Sequence, residues 1–156
     1  MTSPSDDLGG DPVSGLPPAM AEIVQDFQAL PERERLQLLL EFSQGLRPLP
    51  AEFEGHLEKM ERVDECQSPV FINVEVDADR AVHLHVSAPA EAPTTRGFAG
   101  VLQEGLDGLP AQEVLELPAD VCHRLGLERA VSPLRMRGMT GMLARVKRQV
   151  RVATAA

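Results

Sequence analysis

Apolar residues recur at helical spacing from Pro18 onward: Met20, Ile23, Val24, Phe27 and Leu30 line one face, with Glu22 and Asp26 between them, which predicts an amphipathic helix. Pro31 suits the first position of a second helix whose Leu36, Leu39, Leu40 and Phe42 point inward before Gly45 and Pro48 stop it. The period then lapses. Residues 46–69 hold Pro48, Pro50 and Pro69 amid mixed charge, with no more than a helical turn around Glu52 to Leu57, and read as a long surface loop.

Alternation replaces helical spacing at Val70, Ile72, Val74 and Val76, and again at Val82, Leu84 and Val86, with a turn at Asp77 to Arg80 between the runs. This predicts an antiparallel hairpin. A lone hairpin is marginal in water, so a short strand around Arg62 to Asp64 or a helical layer is expected to complete the sheet. Thr94 or Thr95 is placed to cap a helix carrying Phe98, Val101, Leu102 and Leu106 that ends at Asp107-Gly108. Pro110 and Pro118 each open a short helix, the second closing at Gly126, and Ser132-Pro133 starts a final helix with Met136, Met139, Leu143, Val146 and Val150 inward. Two helices, strands, then helices, without βαβ alternation, predict an α+β fold: a small antiparallel sheet covered by helices.

Length and composition bound this picture. With 156 residues and 43% apolar content, the chain suits one domain. Residues 1–18 are rich in Ser, Pro, Gly and Asp and are expected to be a disordered tail. The domain is expected over 19–152, with a disordered end at 153–156. No stretch approaches the roughly 18 to 20 apolar residues of a membrane span, and Met1 to Met20 lacks the pattern of a secretory signal. A cytoplasmic protein with no membrane partner is expected.

The net charge of −9 is uneven, because residues 133–156 carry Arg135, Arg137, Arg145, Lys147, Arg148 and Arg151 with no acid, leaving nine cations against 24 carboxylates elsewhere. So acidic a body argues against nucleic-acid binding, and the absence of Trp and Tyr removes the usual stacking platforms. The final helix is expected to turn its basic face to solvent.

Catalytic constellations are missing: the sequence has no phosphate loop, HExxH, GxSxG or glycine-rich dinucleotide turn. His83 and His85 share one strand face but have no carboxylate or cysteine ligand near them in sequence, so a solvated strand face is the better reading. Of the two cysteines, Cys122 lies on a short helix and reads as a buried structural residue. Cys66 is flanked by polar residues on a loop entering a strand, where function concentrates. Glu61, Asp64 and Glu65 surround it, and nearby negative charge disfavours the thiolate. A sluggish nucleophile that a partner must activate is expected.

The run Glu65-Cys66-Gln67-Ser68-Pro69-Val70-Phe71-Ile72 resembles the motif around the sulfur-accepting cysteine of the SufE family. The likeness continues through Arg96-Gly97-Phe98, the Leu109-Pro110 to Leu117 helix, Leu125-Gly126-Leu127 and Ser132-Pro133-Leu134-Arg135-Met136-Arg137-Gly138, covering about residues 20–150. The resemblance implies a small α+β unit similar to IscU. It also implies a non-enzymatic role: accepting persulfide sulfur on Cys66 from a SufS-type cysteine desulfurase, stimulating its turnover, and passing sulfur to an iron–sulfur scaffold complex. No cofactor is then expected on this chain, pyridoxal phosphate belonging to the desulfurase. Arg135 falls where the family places an arginine near the docking surface, Arg137 is a second partner-binding candidate, and Gln67 is a candidate loop support. Two departures stand out: Glu65 replaces the usual glycine before the cysteine, and the linker from Ala88 to Pro93 is unusually rich in proline. The alternative from another class is a redox-responsive regulatory protein using Cys66 and the basic C-terminal helix.

Overall fold

The computed structural model describes residues 11–155. The two helical stripes form the helices they predict, α1 over Pro18–Ala29 and α2 over Glu32–Gln44, with Pro31 extended between them. Pro18 sits in the first turn of α1, where a missing N–H leaves no bond unmade, and Met20, Ile23, Val24 and Phe27 are buried.

Strand β1, Glu61–Arg62, pairs with β2, Phe71–Val76, which pairs with β3, Val82–Ser87, all antiparallel in the order β1-β2-β3. The register sets Ile72 opposite Val86 and Val74 opposite Leu84, so these buried side chains share one face. Asn73, Glu75, His83 and His85 share the other. Helix α3, Pro93–Leu106, packs on β3, and the 22-residue α6, Pro133–Thr154, packs on β2. Between them lie two short helices, α4 at Ala111–Leu115 and α5 at Val121–Arg124. The α+β class is as the patterning predicts.

Helix α3 lies unusually close to α2. A Cβ at Gly97 would collide with the Leu39 carbonyl oxygen, and one at Gly100 with that of Phe42. Side chains also close both sheet edges. Beyond the short β1, the Val74 N–H donates to Gln149 Oε1 of α6 at 2.7 Å. On the far edge the Leu84 N–H donates to Asp107 Oδ1 at 2.8 Å, and the Leu84 carbonyl accepts from Gln103 Nε2 at 2.9 Å. These three groups are thereby satisfied and unavailable to a further strand.

Four expectations need correction. Helix α3 begins at Pro93 with Ala92 as its cap rather than Thr94 or Thr95, because proline is pre-set for the first helical position. The 46–69 segment is not merely a surface loop, since Leu46, Phe53, Met60, Val63 and Cys66 are all buried. Residues 11–17 are not a disordered tail: Val13 and Leu16 pack on the core, Pro17 is buried, and Arg124 donates to the carbonyls of Pro12 and Ser14. The remainder of that expected tail, residues 1–10, lies outside the described residues. Ala153 and Thr154 continue α6 rather than fray, Thr154 bonding back to the Val150 carbonyl at 2.8 Å, while Ala156 lies outside the described residues.

Candidate functional site

Cys66 sits in the loop between β1 and β2. One further ladder bond, from the Val63 N–H to the Val70 carbonyl at 2.8 Å, continues the β1–β2 pairing, and the Cys66 N–H then turns back to the Val63 carbonyl at 3.1 Å. The loop lies on α6 at two glycines. A Cβ at Gly138 would approach Cys66 Sγ to 3.0 Å, and one at Gly141 would approach Glu65 Cδ to 2.8 Å. Glycine inside a helix costs about 1 kcal/mol relative to alanine, and here it lets the loop seat directly on the helix backbone.

The thiol is enclosed. Cys66 is 8% exposed, and its S–H points at the Gly138 carbonyl, 3.7 Å away. Beside it lies a cavity of about 30 Å³ with an apolar wall of Leu134, Met139 and Met142 and a polar rim of Gln67, Ser68, Thr95 and Arg135. Burial pushes the thiol up to about 11, Glu65 adding to the effect and Arg145 opposing it. At neutral pH roughly one chain in ten thousand then carries the thiolate. A thiol raised in this way is a sluggish nucleophile, and burial rather than acidic surroundings is the first cause.

The acids near Cys66 are held by a guanidinium. Arg145 donates from Nε to Glu65 Oε1 at 2.9 Å and from Nη1 to Glu61 Oε2 at 2.6 Å, and its Nη2 lies 2.8 Å from Glu65 Oε1 and 3.8 Å from Asp64 Oδ2. Glu61 also receives Gln149 Nε2 at 2.8 Å and an ion pair from Arg148. Burial opposes ionisation of Glu61, yet the hydrogen bonds from Gln149, Arg145 and Arg148 outweigh it and hold the carboxyl below its ordinary range. For Glu65 burial is likewise outweighed, chiefly by the Arg145 hydrogen bond. The helix therefore does not simply show charge to solvent, as its sequence suggests: Arg145 and Arg148 bind these carboxylates, and Lys147 donates to the Leu117 carbonyl.

Residues 21–150 match the SufE family, described as an Fe-S metabolism associated domain. The chain belongs to the SufE family. It is 50% identical over 142 residues to an uncharacterized SufE-like protein of Mycobacterium tuberculosis, spanning 90% of this chain and 96% of the relative. It is 33% identical over 143 residues to SufE-like protein 1, chloroplastic/mitochondrial, of Arabidopsis thaliana, covering 91% of this chain and 37% of that longer protein. The solution structure of a hypothetical protein from Thermus thermophilus superposes with a TM-score of 0.79 at 39% identity, covering 90% of this chain and 99% of the other. Its family associates the chain with Fe–S metabolism.

Within this SufE fold three of the four candidate residues come together. Cys66, Gln67 and Arg135 line one cavity. Arg135 is exposed in the first turn of α6, its N–H held by the Ser132 hydroxyl cap at 3.2 Å. Arg137 does not join them: it lines a separate apolar groove with Pro133, Met136 and His123, because a two-residue step turns about 200° around a helix. Cys122 is fully buried, 3.3 Å from the Thr140 hydroxyl. The strand histidines meet carboxylates after all, His83 with Asp77 and His85 with Glu75, each at 2.8 Å. Among the described residues no group of three or more His, Cys, Asp or Glu is arranged to hold a metal ion, and no helix is long and apolar enough to cross a membrane. Sequence reasoning missed Gly138, Gly141 and Arg145. Two glycines three apart inside an otherwise amphipathic helix were the available signal, since neither has a local reason to be there.

Proposed function

We propose that this chain is a sulfur-relay protein that takes persulfide sulfur onto Cys66 from a cysteine desulfurase, quickens that enzyme's turnover, and delivers the sulfur to iron–sulfur cluster assembly. One observation carries the reading: an enclosed, protonated cysteine beside a cavity with room for about one atom of sulfur's size. An enclosed thiol resists stray oxidation, and a persulfide held there would be shielded from reductants. Family membership and association with Fe–S metabolism support the same reading.

In the exchange, the Cys66 thiolate attacks the terminal sulfur of the desulfurase cysteine persulfide. The bond between the two donor sulfurs breaks, its electron pair leaves with the desulfurase cysteine, and the proton given up by Cys66 returns to that cysteine or to solvent. No net oxidant or reductant is needed. Removing the persulfide frees the enzyme for its next cycle. In this scheme the chain catalyses no reaction of its own and works in the reducing cytoplasm. The cofactor, pyridoxal phosphate, belongs to the desulfurase. Arg135, exposed at the cavity rim, offers the partner a cation next to the reacting sulfur. Gln67 shares that rim and would steady the incoming sulfur or the loop.

The test is desulfurase turnover with and without this chain. Wild type and Cys122→Ser should stimulate sulfur release from L-cysteine, whereas Cys66→Ser should not, and Arg135→Ala should require more protein for half-maximal stimulation. Because Cys66 is buried, Cys66→Ser is expected to cost on the order of 1 kcal/mol, so its folding is checked by circular dichroism. Full stimulation by folded Cys66→Ser would overturn the reading.

A further inference from the structure

Sulfur exchange needs Cys66 Sγ within bonding distance of another protein's sulfur, yet Sγ lies under its own loop against Gly138. The α6 backbone beneath cannot yield, because it is tied into the sheet through Gln149 and buried through Met139, Leu143 and Val146. Access therefore requires the loop to lift. Arg145 contributes the principal charged contacts between loop and helix. It grips Glu65, the residue before Cys66, through Nε at 2.9 Å and Nη2 at 2.8 Å, reaches toward Asp64, and holds Glu61 in β1 through Nη1 at 2.6 Å. The Glu65 side chain lies so close over Gly141 that a Cβ there would come within 2.8 Å of Glu65 Cδ. Helix, strand and loop thus converge on one half-buried guanidinium, an arrangement in which charge-assisted bonds are strongest.

We propose that Arg145 is a latch that holds the Cys66 loop shut on α6, and that its release from Glu65 is the step that opens Cys66 to a partner's sulfur. The thiol's closure stands on geometry, and its bearing on sulfur exchange rests on the function proposed above. A docking protein can exchange one ion pair for another by offering Glu65 a cation or Arg145 a carboxylate, at small net cost. A small oxidant offers neither and meets a shut loop. Arg145 is therefore a positioning residue that holds the loop through Glu65.

The experiment measures iodoacetamide labelling of each cysteine by peptide mass in the full chain under native conditions, without desulfurase, so its result is independent of whether the relay reading holds. Buried Cys122 gauges global unfolding. Arg145→Gln should raise Cys66 labelling by about tenfold and leave Cys122 protected, with Arg145→Lys between the two chains. If the loop stayed shut, the same change would slow labelling, because Glu65 would then bear on the thiol without the opposing charge of Arg145. Wild-type Cys66 labelling should also rise with salt, which weakens the ion pairs, while that of Arg145→Gln should not. Slower or unchanged Cys66 labelling, an equal gain at Cys122, or salt-independent wild-type labelling would each overturn the latch.

Discussion

At the scale of single residues, Cys66 is governed first by desolvation and only then by charge. With the thiol raised from about 9 to about 11, the folded chain holds its proton at pH values where the unfolded chain has lost it. Stability from this group is therefore fully present below about pH 9 and lost as pH rises through about 11. Burial raises Cys122 in the same direction. Thiolate absorbance near 240 nm in the native isolated chain should consequently show no step between pH 7 and 9 and should rise above that range. A step near pH 8.5, the ordinary cysteine value, would mean an open thiol. Much of this was legible in the sequence, since the Glu65-Cys66 pair already forecasts a reluctant thiolate. The main cause was not, because burial here comes from Gly138, 72 residues along the chain, and Arg145 meets Glu65 across 80 residues. A cation on an amphipathic helix reads as solvated until its distant partner is known.

At the scale of elements, the pattern of apolar positions located the strands and the long helices because their burial repeats with a fixed local period. Where burial came from isolated anchors it could not be read. Leu46 and Phe53 on the long connection, and Val13 and Leu16 before α1, are each covered by distant parts of the chain rather than by a repeating neighbour. The contact of α3 with α2 belongs to the same class, since it depends on where two helix backbones meet. Gly97 faces the Leu39 carbonyl so closely that a methyl group forces the helices apart. Gly97→Ala should destabilise by about 2 kcal/mol, lowering the melting temperature by roughly 4–8 °C for a chain of this size. Calorimetry showing an unchanged midpoint would mean the helices are less tightly apposed than described.

At the scale of the whole molecule, the fold presents a stiff frame with one detachable part. Side chains from α3 and α6 close the sheet edges, α6 anchors the sheet and seats the loop, and the cavity beside Cys66 opens where Arg135 and Leu134 are exposed. The basic end of the chain, which on composition alone suggested a free cationic surface, is partly consumed inside the molecule by Glu61, Asp64 and Glu65. That weakens the regulatory alternative built on a basic helix and leaves the enclosed cysteine as the chemically distinctive feature. The central claim is that sulfur lands on Cys66. It is tested most directly by incubating the chain with a SufS-type desulfurase and isotopically labelled cysteine, then mapping peptide masses under non-reducing conditions. One labelled sulfur is expected on the peptide containing Cys66, removed by reductant, and none on that containing Cys122. An unmodified Cys66 in the presence of demonstrably active desulfurase, or label on Cys122, would contradict it.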